Sequence, residues 1–462
     1  MTVERLFYGK TKGKSCMFKL KEHNTTVKAE IIGGLTTFFA MSYIIFVNPA
    51  MLGATGMDAI GVAMATCISA ALGCLLTAFL ANVPFAQAPG MGLNAFFTYT
   101  CCFAMEYTWQ QSLTIVLISG LLFLIIAVSP LRSKIISAIP ASLKAAISAG
   151  IGLFIALIGL KNSGIVNFAA GLPSLSDITH GAALLAVIGI VIMAILLVLK
   201  VKGAIFIGII ATAVVGIIPT LFGSDFFGKF VVEGEVWSFA SLANIKDVAF
   251  KFDFGGLFAK GVLPLITAVV SFTLVDCFDT VGTLIGTAGN AGMLDENGNL
   301  PGGDKALIAD AVATCVGACL GTSTVTTYVE SSSGIAAGAK TGLSSIVVAV
   351  LFVVATFISP IFGILEHNAW YLYSITAPAL IIVGVLMMKG VTKIQWDNIE
   401  DAIPAFLTIS MMPFAYSISE GIAFGFISYV IIKLVRGKVK EIPVLMYVIS
   451  ALFIAKYILA GL

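Results

Sequence analysis

Long apolar runs separated by short polar stretches dominate the chain. The runs 30–50, 59–81, 110–128, 141–160, 181–199, 203–222, 262–285, 305–321, 343–361, 373–389, 403–418 and 420–436 approach or exceed the roughly 20 residues a helix needs to cross a hydrocarbon core. Two further stretches, 86–104 and 322–338, are apolar but interrupted by glycine, proline or serine. With them the pattern predicts about fourteen crossings. A last apolar segment, 442–460, follows the basic run Lys433, Arg436, Lys438 and Lys440. It fits either a helix on the cytoplasmic face or an additional span.

The two interrupted stretches hold corresponding places. AQAPGMGLNAFFTY (86–99) is the third element from the start, and TSTVTTYVESSSG (322–334) is the third after the long connection 223–259. Seven crossings, an odd number, precede that connection, so the second half starts from the opposite side and is inverted. Paired broken segments in inverted halves point to a secondary transporter with its site at the midplane, and the odd count disfavours a channel. The predicted fold class is an all-α polytopic membrane protein of two inverted seven-segment repeats.

Composition agrees. Of 462 residues 59% are hydrophobic and 11% charged, with mean hydropathy +1.05, where an ordinary soluble protein has about 25% charged residues. The net charge of +2 gives no footprint for nucleic acid. The stretch 1–28 carries Arg5, Lys10, Lys12, Lys14, Lys19, Lys21 and Lys28 and lacks an apolar core, so it reads as a cytoplasmic tail and not a targeting segment. Basic residues recur after even-numbered crossings, at Arg132 and Lys134, Lys200 and Lys202, Lys389 and Lys393, and the run 433–440. The positive-inside rule then places the N-terminus in the cytoplasm and 223–259 outside, in a multi-pass protein of the plasma (inner) membrane. The eight cysteines form no CxxC pair and read as small buried hydrophobes, and the three histidines lie near segment ends. No metal or other cofactor is expected.

Charge inside the apolar runs carries the chemistry. TLVDCFDTVGT (273–283) places Asp276 and Asp279 three residues apart on one helix, which brings them to nearly one face. Intramembrane carboxylates usually face a cavity and mark a substrate or proton path. In TTYVESSSG the threonines and Tyr328 favour extended backbone, and the serines after Glu330 suit a helix start. A carboxylate there can accept two N–H groups from a planar heterocycle. Asn94 occupies the matching place in the first half, where Pro89, Gly90 and Gly92 break the backbone and Phe96 and Phe97 follow. Its amide both donates and accepts. Asp310 fits either a cross-helix pair or the cavity. Glu30 and Lys144 lie near span starts, where reaching for the interface would suffice. LDENGNLPGGD (294–304) lacks the glycine of a calcium loop and reads as a tight turn. No nucleophile–base pair, metal cluster or phosphate loop suggests an enzyme.

AEIIGGLTTFFAMSYIIFVNPAML, QAPGMGLNAFF, VDCFDTVGTLIGTAG and TTYVESSSGIAAGAKTGL closely resemble the AzgA-like hypoxanthine/guanine/adenine permeases, a branch of the nucleobase–ascorbate transporter superfamily. The resemblance covers about 28–437. It implies core and gate domains, with short antiparallel strands in segments 3 and 10 and the base bound between them and the eighth helix. On that pattern 1–28 is the tail, 29–128 and 260–361 form the core domain, 129–222 and 362–437 the gate domain, 223–259 an extracytoplasmic loop, and 438–462 a segment of open placement. The purine-binding amide falls on Asn94 and the tenth-segment carboxylate on Glu330. The branch pattern gives Asp276 the ligand and Asp279 the proton, whereas relatives outside the branch put the ligand acid at Asp279. Backbone contacts are expected at Gly92, Val329 and Ser331. The implied activity is proton-coupled import of a small purine base by alternating access, with the lipid bilayer as surroundings and a homodimer through the gate domains as the compatible assembly. Another planar solute on the same scaffold, such as uracil, xanthine or urate, is the nearest alternative. A channel or sensor lies outside the class.

Overall fold

The computed structural model describes residues 18–129, 139–168, 173–228, 239–290, 293–295, 300–362 and 368–460. Among these, nine helical segments are long and apolar enough to cross a membrane. The first crossing consists of α1 (Val27–Met41) and α2 (Ile44–Gly53), which meet at Ser42 and Tyr43. α3 (Ala59–Leu76) follows. The third crossing starts as strand β1 (Gln87–Pro89), passes through the short helix α4 (Met91–Ala95) and ends in wide helical turns to Ala104. α5 (Trp109–Val128), α6 (Ala141–Asn162), the small ribbon β2 (Val166–Asn167) with β3 (Ser174–Leu175), α7 (Gly181–Val198) and α8 (Ala204–Leu221) complete the first half. The second half has α9 (Val262–Asn290), α10 (Gly303–Leu320), strand β4 (Val325–Thr327) leading into α11 (Ser331–Ala336), then α12 (Gly342–Thr356), α13 (Ala369–Met387), α14 (Ile399–Phe414) and α15 (Ile418–Val435). A further helix, α16 (Val444–Ala460), ends the described chain. The turn expected at 294–304 lies partly outside the described residues.

Side chains set where the helices begin. Thr26 accepts from the Ala29 N–H, Asp58 from Gly61, and Thr108 and Gln111 form a reciprocal capping box. α12 is capped in addition by another helix. Glu30 of α1 is completely buried and accepts from the backbone N–H groups of Lys340, Thr341 and Ser344 at 2.9, 3.3 and 3.2 Å. The expectation that Glu30 merely reaches for the interface is therefore corrected: it supplies charge to N–H groups that helix geometry leaves unpaired.

β1 and β4 pair antiparallel at mid-bundle, with Gln87 opposite Thr327, Ala88 opposite Thr326 and Pro89 opposite Val325. Extended backbone at this depth survives only with partners inside the protein. Gly90 donates to the Thr324 carbonyl and Tyr328 to that of Ala86, both at 3.0 Å, and the Ala86 N–H is taken by the Ser331 hydroxyl at 3.0 Å. The approach is close enough to require glycine: a Cβ at Gly90 would stand 2.5 Å from Cγ2 of Thr326.

The inverted repeat appears in the packing. α3 lies on α12 as α10 lies on α5, α14 lies on α6 as α7 lies on α13, and the pairs α6–α13 and α3–α10 are their own counterparts. At the α6–α13 contact, a Cβ on Gly384 would come within 2.5 Å of the Gly152 carbonyl oxygen, the small-residue contact that lets membrane helices touch backbone to backbone. Two packing groups result. One gathers crossings one to four and eight to eleven around the β1–β4 pair. The other gathers α6, α7, α8, α13, α14 and α15, and contacts between the groups are sparser.

α16 has no counterpart after α8 among the described residues. It packs along α15 and also touches α9. At one end Lys433 of α15 meets Glu441, just before α16, at 3.1 Å; at the other Lys456 meets Glu420 at 2.5 Å, and the Tyr457 hydroxyl bonds the same carboxylate. Seventeen residues reach about 25 Å, and the two end contacts make α16 antiparallel to α15.

Candidate functional site

The β1–β4 pair brings the predicted residues to one region. Asn94 follows β1 on α4, Glu330 follows β4, and Asp276 and Asp279 lie on α9, which packs against β4 and α4. Phe96 and Phe272 fix the approach of the third and eighth crossings, with ring centroids 4.5 Å apart and planes perpendicular.

Asn94 is completely buried. Its Oδ1 accepts from the Ser323 hydroxyl, while its Nδ2 has no protein partner. Asp276 is almost as buried, at 1% exposure. Its Oδ2 accepts from Thr314 at 3.0 Å and its Oδ1 has no protein partner. Buried polar atoms are nearly always paired. A free amide donor and a free carboxylate acceptor thus lie beside the same strand. Gln87 Oε1 and Thr324 Oγ1, from the two strand segments, are likewise buried and unpartnered.

Glu330 stands at the start of α11, yet its side chain caps no N–H of that helix. The simplest alternative role for it is thereby removed. Its Oε1 accepts instead from the Tyr43 hydroxyl at 2.7 Å. Glu330 is half-buried, Val329 is 55% exposed, and Asp279 is exposed. A Cβ at Gly282, one turn on from Asp279, would meet nothing within 4 Å. The site is thus uncovered at Asp279 and Val329.

Toward the face where α9 begins it is shut. Ser271 of α9 and Ser419 of α15 hydrogen-bond at 3.3 Å, and the Ile418 N–H donates to Thr100 at 3.3 Å. Beyond this closure lies a cleft of about 360 Å³ lined by Glu106, Lys260, Ser417, Glu420 and Lys456, among others. Glu106 and Lys260 pair across it at 2.7 Å, and that contact lowers the Glu106 pKa below the ordinary carboxylate value.

The expected backbone contacts divide. Val329 faces the opening. Ser331 is completely buried, with its N–H given to the Tyr328 carbonyl and its hydroxyl accepting from Ala86; it ties the third crossing to the tenth. Gly92 lets the third crossing approach α6, since a Cβ there would stand 2.7 Å from Cγ2 of Ile151.

Several residues escaped sequence reading. Asp310, left open there, accepts from Gln87 Nε2, Thr327 and Thr280 at 3.2, 2.9 and 2.9 Å. Thr314 connects Asp276 to the Val325 carbonyl, each at 3.0 Å. Lys144 of α6 holds its ammonium 5.6 Å from the Phe278 ring centroid, between the two acids of α9 in sequence. It makes a contact between the packing groups, beyond reaching for the interface. The spacing Gln87–Asn94 and the cluster Ser323–Thr327 were the available signals for this network. Uncharged polar residues in membrane helices are common enough that neither stood out.

Residues 28–424 match the model of a permease family. The chain is 42% identical to the guanine/hypoxanthine permease PbuG of Bacillus subtilis, over 96% of this chain and 98% of that protein. It is 41% identical to the adenine permease AdeQ of Escherichia coli, over 96% of each. The fold is also that of the transmembrane domain of the cyanobacterial bicarbonate transporter BicA, with TM-score 0.61 at 14% identity over 85% of this chain and 97% of that one.

Proposed function

This chain belongs to the permease family, and from that premise we propose that it imports purine bases (hypoxanthine, guanine or adenine) by proton symport. The observation that carries the reading is the pairing state of the site. Asn94 keeps one amide donor free, and Asp276 keeps one carboxylate oxygen free, beside Glu330. A purine ring edge offers the complement: ring or exocyclic N–H groups for the carboxylates, and a carbonyl oxygen or ring nitrogen for the amide. Glu330 and Asp276 hold the edge, Asn94 reads the opposite polar groups, and the exposed peptide segment at Val329 borders the ring.

Asp279 is the proton carrier in this reading. It lies at the open side, one helical turn from Asp276, where it can exchange with water while the ligand acid stays enclosed. Transport proceeds by movement of the two packing groups against each other. The described state, open at Asp279 and Val329 and shut at Ser271–Ser419, is one end of that movement. The basic residues flanking the even-numbered crossings support a cytoplasmic open face, in the plasma membrane. The gate-side helices α6, α7, α8, α13, α14 and α15 provide the surface for a homodimer. The substrates for which the relatives are named, guanine, hypoxanthine and adenine, favour these bases over uracil, xanthine or urate, and burial of Asn94 and Asp276 favours a carrier over a channel.

Uptake of radiolabelled hypoxanthine, guanine and adenine into cells lacking their own purine carriers tests this, with unlabelled bases as competitors and with and without a protonophore. Saturable uptake abolished by the protonophore is expected. Uptake indifferent to the proton gradient would remove the symport, and the absence of purine uptake would remove the substrate class.

A further inference from the structure

Tyr43 stands at the break between α1 and α2 and is 1% exposed. Its hydroxyl donates to Oε1 of Glu330 at 2.7 Å. Its ring lies 6.4 Å from that of Tyr328, centroid to centroid, and the Tyr328 hydroxyl is already committed to the Pro89 carbonyl at 2.6 Å. Tyr43 is thus the side chain of the first crossing that reaches the tenth-segment carboxylate. The break in the helix places it there, and burial among packed side chains leaves it little freedom to swing away.

We propose that Tyr43 is a specificity-determining residue that rations the hydrogen-bonding capacity of Glu330 between purines. This rests on the reading that Glu330 binds the base. A carboxylate offers two oxygens in a fork that suits two parallel N–H donors. Guanine presents such a pair, its ring N1–H beside the 2-amino group. Hypoxanthine presents N1–H with no amino group at C2. Because Tyr43 already donates to Oε1, that oxygen is a poorer acceptor for a second N–H, and the carboxylate is held by one oxygen. The single donor of hypoxanthine loses nothing by using Oε2. The added amino group of guanine gains less than it would at a free fork. Tyr43 therefore levels the two bases, by spending on the protein a lobe that would otherwise reward the amino group.

The test compares Tyr43→Phe with wild type in competition uptake, reading inhibition constants of guanine and hypoxanthine against labelled hypoxanthine. Tyr43→Phe keeps the ring and frees Oε1. The expected result is a shift of the hypoxanthine-to-guanine ratio toward guanine by about fivefold or more, the net worth of one ordinary hydrogen bond. Equal changes for both bases, or a shift toward hypoxanthine, would overturn the proposal. If Tyr43→Phe does not reach the membrane, the wild-type protein still decides: its two inhibition constants should lie within about fivefold of each other, and a larger preference for guanine overturns the idea. Failure of the underlying reading looks different. It would appear as Glu330→Gln transporting both bases normally, whatever the ratio does in Tyr43→Phe.

Discussion

Asp276 and Asp310 hold β4 from two sides. Asp276 reaches it through Thr314, whose hydroxyl lies 3.0 Å from both Oδ2 of Asp276 and the Val325 carbonyl, and Asp310 reaches it through the Thr327 hydroxyl at 2.9 Å. The two acids differ in how full they are. Asp310 receives three donors across its two oxygens, whereas Asp276 keeps Oδ1 free. One carboxylate is fully engaged by the scaffold, and the other keeps an oxygen that the proposed function gives to the base.

Asp310→Asn tests the first half of that distinction. The amide must turn its NH₂ toward donors, leaving at least one of Gln87, Thr327 or Thr280 opposed. A loss of about 1–3 kcal/mol is expected, read as a lower melting temperature of the detergent-solubilised protein. An unchanged melting temperature would show that the network contributes nothing to the fold.

Asn94→Ala and Asp276→Asn test the second half. Each removes a group with a free hydrogen-bonding atom, so uptake efficiency should fall roughly tenfold to a hundredfold while folded protein persists. Equal loss of uptake and of folded protein in the membrane would reassign these residues to structure.

Thr314 has one proton for two neighbours. The Val325 carbonyl can only accept, and in the β1–β4 register it faces Pro89, which has no N–H. Thr314→Val should therefore displace β4 as well as release Asp276, lowering uptake efficiency about tenfold or more, whereas Thr314→Ser should stay near wild type. Comparable activity in the two variants would show that the hydroxyl is dispensable.

The closure between the packing groups offers a lock. With the Ser271 and Ser419 oxygens 3.3 Å apart, a Ser271→Cys/Ser419→Cys pair is within reach of a disulfide. Oxidation should arrest uptake and reduction restore it, while each single variant keeps transporting. Undiminished uptake by the oxidised pair, with the disulfide verified by gel mobility, would show that this contact need not open.

The crossings, their inversion and the two broken segments were legible because apolar length and the placement of Pro89, Gly90 and Gly334 follow directly from what a bilayer permits. Asn94, Asp276, Asp279 and Glu330 stand out in the sequence because polarity inside such runs is costly, and the structure brings them to one region. The rest was hidden for the same reason. Gln87, Thr314, Ser323 and Tyr43 cost little in a membrane helix, so their roles emerge only once β1 and β4 set their partners. The role of Glu30 is hidden because sequence shows its distance from a span end and not the backbone leading into α12, 310 residues away at Lys340, that it binds.

α16 should cross the membrane. In a background without other cysteines, Lys440→Cys and Tyr457→Cys should react with an impermeant thiol reagent from opposite sides. Labelling of both from one side would place the helix on a single surface.

Two inverted halves of equal make-up would give a carrier whose opposite end states differ little in energy. α16 breaks that equality. It lies over the seam between α9 and α15, and the mirror seam between α1 and α8 has no such cover among the described residues. The two seams are thus made unequal by an appendage outside the repeat symmetry.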